Sequence, residues 1–216
     1  MGAPGHTSPI RKETFENLQL NAGIFIKDFV YSGITSANDL KSEIALCVEG
    51  SVSAQGTILG ATRGGGSFTA TRELRSPDVD GKRYGYKGDT FVDSVEAQIS
   101  TTLVEMTPEN LQDAFASATL ATSSNGLVKT LTVNTAIDSD DYLTNVCWIG
   151  DVADGRYVMI VLENALNQAD ISVTWTDKGE GTLPVEFHAK QDDVNDYDTA
   201  PFKLIWFSPE STSGNP

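Results

Sequence analysis

The chain is short of positive charge. It holds 15 Lys and Arg against 30 Asp and Glu, giving a formal net charge of −15 and a pI near 4.3. Such a surface is unsuited to gripping nucleic acid by neutralising phosphates. It suits solubility, or a wall to which DNA must not stick. Histidine is scarcer still, with His6 in the first segment and His188 at a position expected on the wet face of a strand. There is no Gly-x-Ser-x-Gly elbow and no His-Glu-x-x-His pair, so the common nucleophilic and zinc hydrolases are excluded. A hydrolase built on strand-borne carboxylates is the remaining enzymatic reading, and no residue pair points to one.

Cysteine is nearly absent. Cys47 and Cys147 lie far apart in apolar surroundings, with no zinc spacing. They read as buried, reduced thiols rather than a disulfide. No apolar run approaches the ~18 residues of a membrane helix. Met1–Glu13 has no apolar signal core, so synthesis in a cytoplasm is the expectation. No cofactor or metal is expected. Asp192, Asp193, Asp196 and Asp198 lack the central glycine and the closing glutamate of a calcium loop. Like Asp138, Asp140 and Asp141, they read as solvated acid.

What is present is a glycine-led hairpin. Gly60-Ala-Thr-Arg-Gly-Gly-Gly-Ser-Phe68 puts Gly64, Gly65 and Gly66 immediately before an alternating run, Phe68–Arg75. The spacing from Gly60 to Gly65 mimics a phosphate loop, but Gly66 stands where its lysine belongs. The glycines are read instead as backbone that takes positive φ or passes close to another segment. A second alternating run, Ser94–Met106, places Val95, Ala97, Ile99, Thr101 and Leu103 on one face. Ser94, Glu96, Gln98, Ser100 and Thr102 fall on the other. A period of two means strands with one dry and one wet face. About twelve residues at ~3.3 Å each make an arm of roughly 40 Å, twice the usual strand length. Phe68, Ala70, Val95, Ala97 and Ile99 are expected to pack in the core. Between the runs, Ser76–Asp89 is long for a loop and rich in Asp78, Asp80, Lys82, Arg83, Tyr84, Tyr86 and Lys87. Aromatics and arginine fit an interaction loop.

The rest of the chain reads as mainly β. Strands are expected over 18–29, 52–59, 127–136, 142–149, 157–162, 171–176, 183–189 and 202–207. Helices are expected over 36–48, capped by Ser36, and 107–120, capped by Thr107 with Pro108 in the first turn. Short strands with turn signals imply a β-sandwich or barrel with one or two helices and a long extended hairpin. The 216 residues read as one domain, with an arm at about 1–14 and a polar tail at about 208–216. The arm reads as a tail, or as a segment that orders against a neighbouring subunit. Trp148, Trp175 and Trp206 fall in strands, which favours burial.

Four features in order carry a resemblance: the Gly60–Phe68 segment, the arginine-bearing hairpin, Thr107-Pro-Glu-Asn-Leu111, and Asp198-Thr-Ala-Pro-Phe202. Together they resemble the tail tube protein, or major tail protein, of long-tailed bacteriophages, over roughly residues 18–207. The resemblance implies a virion tail protein made in the host bacterial cytoplasm. It implies six-membered rings stacked into a hollow conduit for genome delivery. Partners would be further copies of the chain, a tape measure protein, and tail-tip or tail-completion proteins. Double-stranded DNA would pass without specific binding, and no membrane partner is implied. The hairpin loop would lock one ring to the next. The polar face, Thr69, Thr71 and Glu73 with Glu96, Gln98 and Ser100, would line the lumen. Six copies would carry roughly six times the charge of one, a field that repels phosphate.

Two other classes fit the residues. One is a jelly-roll-like module binding a receptor or carbohydrate through exposed tryptophan. The other is a different ring-forming tail or capsid-decoration protein.

Overall fold

A computed structural model describes residues 19, 21–153, 155–174, 177, 179–192 and 198–209. The N-terminal arm, Trp175, Asp193, Asp196 and most of the C-terminal tail lie outside the described residues.

Among the described residues there are ten strands and two α-helices, and the chain is mainly β with a large antiparallel sheet. In chain order the first elements are β1 (Ile24–Lys27), α1 (Ala37–Glu49), β2 (Thr57–Ile58), β3 (Thr62–Arg75) and β4 (Phe91–Leu103). There follow α2 (Pro108–Phe115), β5 (Ala118–Thr122), β6 (Lys129–Val133), β7 (Leu143–Val152), β8 (Arg156–Asn167), β9 (Leu183–His188) and β10 (Phe202–Phe207). Hydrogen bonding runs β2-β1-β7-β8-β9-β4-β3, with β10 on β8 and β5 paired with β6 alone.

β8 joins two layers. Along most of its length it pairs with β7 and β10, and its last residues, Leu166 and Asn167, pair with β9. Asn164 sits at φ 47°, a left-handed backbone that asparagine tolerates, just before β8 changes partner. The first layer is therefore β2-β1-β7-β8-β10, and the second is β9-β4-β3.

Alternation then makes two cores from one sheet. Phe25, Val146 and Leu162 face the second layer and meet Ile99, Leu103, Val185 and Phe187. Their neighbours Ile26, Cys147 and Val161 face the other way and meet Phe29, Leu40 and Cys47 beneath α1. Around Val146, Cys147, Val161 and Leu162 the first layer is buried on both faces, which is why β8 reads as nearly continuous apolar sequence.

Both helix caps form as their residues dictate. Ser36 accepts from the Asp39 amide while the Asp39 carboxylate accepts from the Ser36 amide, a reciprocal cap. Gly50 closes α1 in left-handed geometry. Val48, expected on the helix's apolar face, is exposed. Thr107 accepts from the Asn110 amide at 3.1 Å, with Pro108 at the first position of α2.

Several expected boundaries move. The helix expected to run to Leu120 ends at Phe115, where Ala116 turns to φ 56°. Ala118–Thr122 is instead a strand paired with Lys129–Val133, and Ser123–Gly126 lies in the turn between them. α2 lends Ala114 and Leu111 to the core between the layers, and α1 covers the outer face. The first strand contracts to Ile24–Lys27 and the second to Thr57–Ile58. Ile171–Val173 form no ladder, and Thr174 makes a single bridge to Thr182. Cys47 and Cys147 are free and buried, and burial raises both thiol pKa values above the ordinary range.

Candidate functional site: a projecting two-stranded arm

β3 and β4, with 14 and 13 residues, form one long antiparallel ribbon. Its root is held by the glycines. Between Thr62 and Gly66, three residues of β3 oppose the single Thr102 of β4, a bulge that Gly64 (φ 78°) and Gly65 (φ 75°) make without steric cost. Thr101 Oγ1 donates to the Gly65 carbonyl at 2.8 Å. Gly66 answers a different need. A Cβ there would stand 2.6 Å from Phe25 Cζ and 2.8 Å from the Ser100 carbonyl.

β4 has β9 as a second neighbour only from Gln98 to Leu103. Beyond Ala97 its neighbour is β3 alone, and every residue of β3 from Thr69 to Arg75 is exposed. Seven residues at ~3.3 Å carry the ribbon about 23 Å past the last buried pair. The buried alternation of β4 accordingly fades outward. Ala97, Ile99, Thr101 and Leu103 are buried, Val95 is half-buried, and Val92 and Phe91 are exposed.

The register sorts the faces. Thr69 opposes Gln98, Thr71 opposes Glu96, and Ser67 opposes Ser100, so the six polar side chains read from sequence do share one face. Ser94 Oγ donates to Glu73 Oε2 at 3.3 Å across that face. Glu96 is exposed and points away from the core. On the other face Phe68 opposes Ile99, Ala70 opposes Ala97 and Arg72 opposes Val95. Phe68 is half-buried, but Ala70, expected in the core, is exposed because the first layer ends before reaching it. A shift after Glu73 then sets Leu74 opposite Val92. Both are more than half exposed, so the dry face continues into solvent without a cover.

The tip loop is built rather than slack. Lys82 Nζ donates to Ser76 Oγ (2.8 Å) and the Pro77 carbonyl (3.0 Å), and pairs with Asp89 at 2.7 Å. Asp89 also accepts from the Tyr86 amide at 3.0 Å. The Lys82 hydrogen bond and that amide hold the Asp89 carboxyl far below the ordinary carboxylate range. Around this staple Val79, Tyr84 and Tyr86 are exposed. Asp78, Asp80, Arg83 and Lys87 complete the loop between the strands, and Arg75 holds Asp93 at its neck.

Charge is unevenly shared. Residues 62–103 hold six cations and six anions, so the arm is neutral and the remainder of the chain carries the whole −15. A neutral arm is one that a second acidic copy would not repel.

His188 bonds Glu186 at 2.8 Å on the half-buried face of β9. Among the described residues no cluster of three metal-ligating side chains occurs. Trp148 is half-buried and donates to the Ala22 carbonyl at 2.9 Å. Trp206, expected to be buried, is 68% exposed because the second layer reaches Phe202 at one end of the edge strand β10 and not Leu204 and Trp206. Leu74, Val92, Leu204 and Trp206 are the surface residues that sequence patterning missed. Their alternation was visible, but alternation cannot tell where the covering layer stops.

Searches with the sequence find no matching family model and no matching curated protein.

Proposed function

We propose that this chain is a structural subunit of a bacteriophage tail tube, assembling through its β3–β4 arm into stacked six-membered rings around a DNA conduit. The observation that carries the reading is the arm itself. A two-stranded ribbon is marginal in water when alone. This one runs past its own core with an apolar face continuous with the buried face of β4. Another copy would complete that face and cover the β3 edge, which otherwise invites aggregation. Arg63 and Arg72 on the edge strand would limit unwanted pairing until then. A neutral arm on an acidic body supports the same reading, since arm contacts avoid body-to-body repulsion.

In this assembly the polar face, with Glu73 and Glu96 and without a cation among its six residues, lines the bore. Phosphate finds nothing there to grip. The arm's overall neutrality limits the repulsion near the wall to these carboxylates, with the body charge acting from farther out. The tip loop, with its lysine staple, reaches the adjacent ring. The tape measure protein and tail-tip proteins are the partners this function requires.

Negative-stain electron microscopy beside solution mass tests the reading. Hollow tubes or six-fold rings are expected, alone or after seeding with tail tips. A chain that stays monomeric even when seeded would defeat it. Trp206 favours one alternative, a carbohydrate- or receptor-binding module with an exposed indole. A monodisperse monomer whose Trp fluorescence is quenched by ligand would establish that class instead.

A further inference from the structure

The first layer carries a strip that the second layer leaves uncovered. Register places Phe25, Trp148, Ile160 and Leu204 in one row across β1, β7, β8 and β10, on the side facing the second layer. The next row on that side holds Gly150, Val158 and Trp206. Phe25 is buried, Trp148 and Ile160 are half-buried, and Leu204 and Trp206 are exposed. Trp148 lies over Gly150, where a Cβ would come within 2.4 Å of the indole. At the covered end, a cavity of about 180 Å³ opens between Phe25, Phe68, Ile99, Trp148 and Ile160. Gln19 and Ser67 also line the cavity, so strip and cavity together form a cleft of mixed lining at the root of the arm, apolar toward Leu204 and Trp206.

Resting on the self-assembly reading above, we propose that this cleft is the seat for the arm of a second copy. The side of that arm that carries Ala70, Leu74, Val92 and Val95, with Arg72 among them, packs on Trp148, Leu204 and Trp206. Charge selects the occupant. The cleft belongs to the part of the chain that carries the whole −15. An acidic partner surface is disfavoured there, whereas the arm is neutral overall and carries apolar side chains that nothing in its own fold covers. The contact joins two different patches, arm to cleft. It is therefore heterologous, and repeating it propagates from copy to copy until the rotation closes a ring. A self-complementary arm-to-arm contact would stop at a dimer.

That difference gives the experiment. Two full-length variants are made, one with Leu74→Asp and Val92→Asp on the arm, the other with Trp206→Asp in the cleft. All three sites are exposed, so folding is expected to survive, and circular dichroism checks it. Leu204→Asp replaces the cleft variant if Trp206→Asp misfolds. Each is measured by sedimentation velocity at high salt, alone and mixed, under conditions where the unmodified chain assembles. Alone, each variant is expected to remain at the 23.2 kDa chain mass. Mixed in equal amounts, they are expected to form a species of twice that mass and nothing larger, because one intact arm and one intact cleft remain. Two results overturn the proposal while leaving self-assembly standing: a mixture that stays monomeric, or a Trp206→Asp chain that assembles like the unmodified one. An unmodified chain that never assembles, seeded or not, removes the assembly reading and this contact together.

Discussion

Phe68 and Phe202 meet with ring centroids 5.7 Å apart and planes tilted by 55°. One belongs to the arm and the other to the edge strand of the opposite layer, so this pair clamps the root of the projecting ribbon to the body. Tilted aromatic pairs contribute beyond their buried area. Phe68→Ala is expected to lower stability by about 2 kcal/mol, less than a fully buried Phe would cost. Urea denaturation measures it. An unchanged midpoint would show that the arm is anchored elsewhere.

Gly66→Ala tests the same root from the backbone side. The added methyl would press on Phe25 and on the Ser100 carbonyl. Overpacking of this kind costs about 1–3 kcal/mol. Gly64→Ala meets no neighbour, and its cost comes from φ 78° alone. The two variants should therefore differ in a thermal melt, with Gly66→Ala also raising the exchange rate of Ile99 and Thr101 amides.

Lys27 and Asp113 form an ion pair between β1 and α2, with both side chains largely out of water. Burial raises the Asp113 pKa above the ordinary carboxylate range despite the lowering influence of Lys27. Removing one partner strands the other, at a cost of about 3–5 kcal/mol, whereas replacing both with apolar residues can be neutral. Asp113→Asn should be strongly destabilising, and Lys27→Met with Asp113→Leu should recover most of the loss. Chemical denaturation of the three variants decides the point.

The tip loop should respond to acid. The ordinary Asp value is 3.8, and in the folded loop Asp89 is held well below it. The ionised form is thus favoured by the folded loop. Its contribution is complete above the ordinary value and is lost as pH falls from there toward the native value. The protection factor of the Tyr86 amide should be unchanged near about pH 5 and fall below about pH 4. In Lys82→Met the loop should already be labile at neutral pH.

Assembly should depend on salt in the direction opposite to a salt-bridged interface. With the body at −15 and the arm neutral, screening weakens repulsion between copies and leaves apolar contacts intact. Light scattering should rise from low to high NaCl. A fall would mean that charge pairs hold the copies together. On the proposed tail-tube reading, Glu96→Lys should leave ring formation intact while impairing DNA passage, measured by genome release from tails carrying the variant.

Much of this was legible in the sequence because it depends on local rules. The period of two over Ser94–Leu103 needs only the pleat. Ser36 and Thr107 cap because their hydroxyls reach amides three residues on. Gly64 and Gly65 bulge because positive φ costs them nothing. The polar face Thr69, Thr71, Glu96 and Gln98 follows once the two runs pair. Tertiary structure decided the rest. The periodicity of Phe68, Ala70, Arg72 and Leu74 looks the same along its length, yet Phe68 packs on Phe202 and Leu74 faces water. The reason is that β9 and the first layer end there. Trp206 is exposed because the second layer stops short of it, having covered Phe202 on the same face of β10. Ala118–Thr122 became a strand because Ala116 turned left-handed and Lys129–Val133 offered an edge. Local sequence sets which way each side chain points, and only the placement of neighbouring layers sets whether anything meets it there.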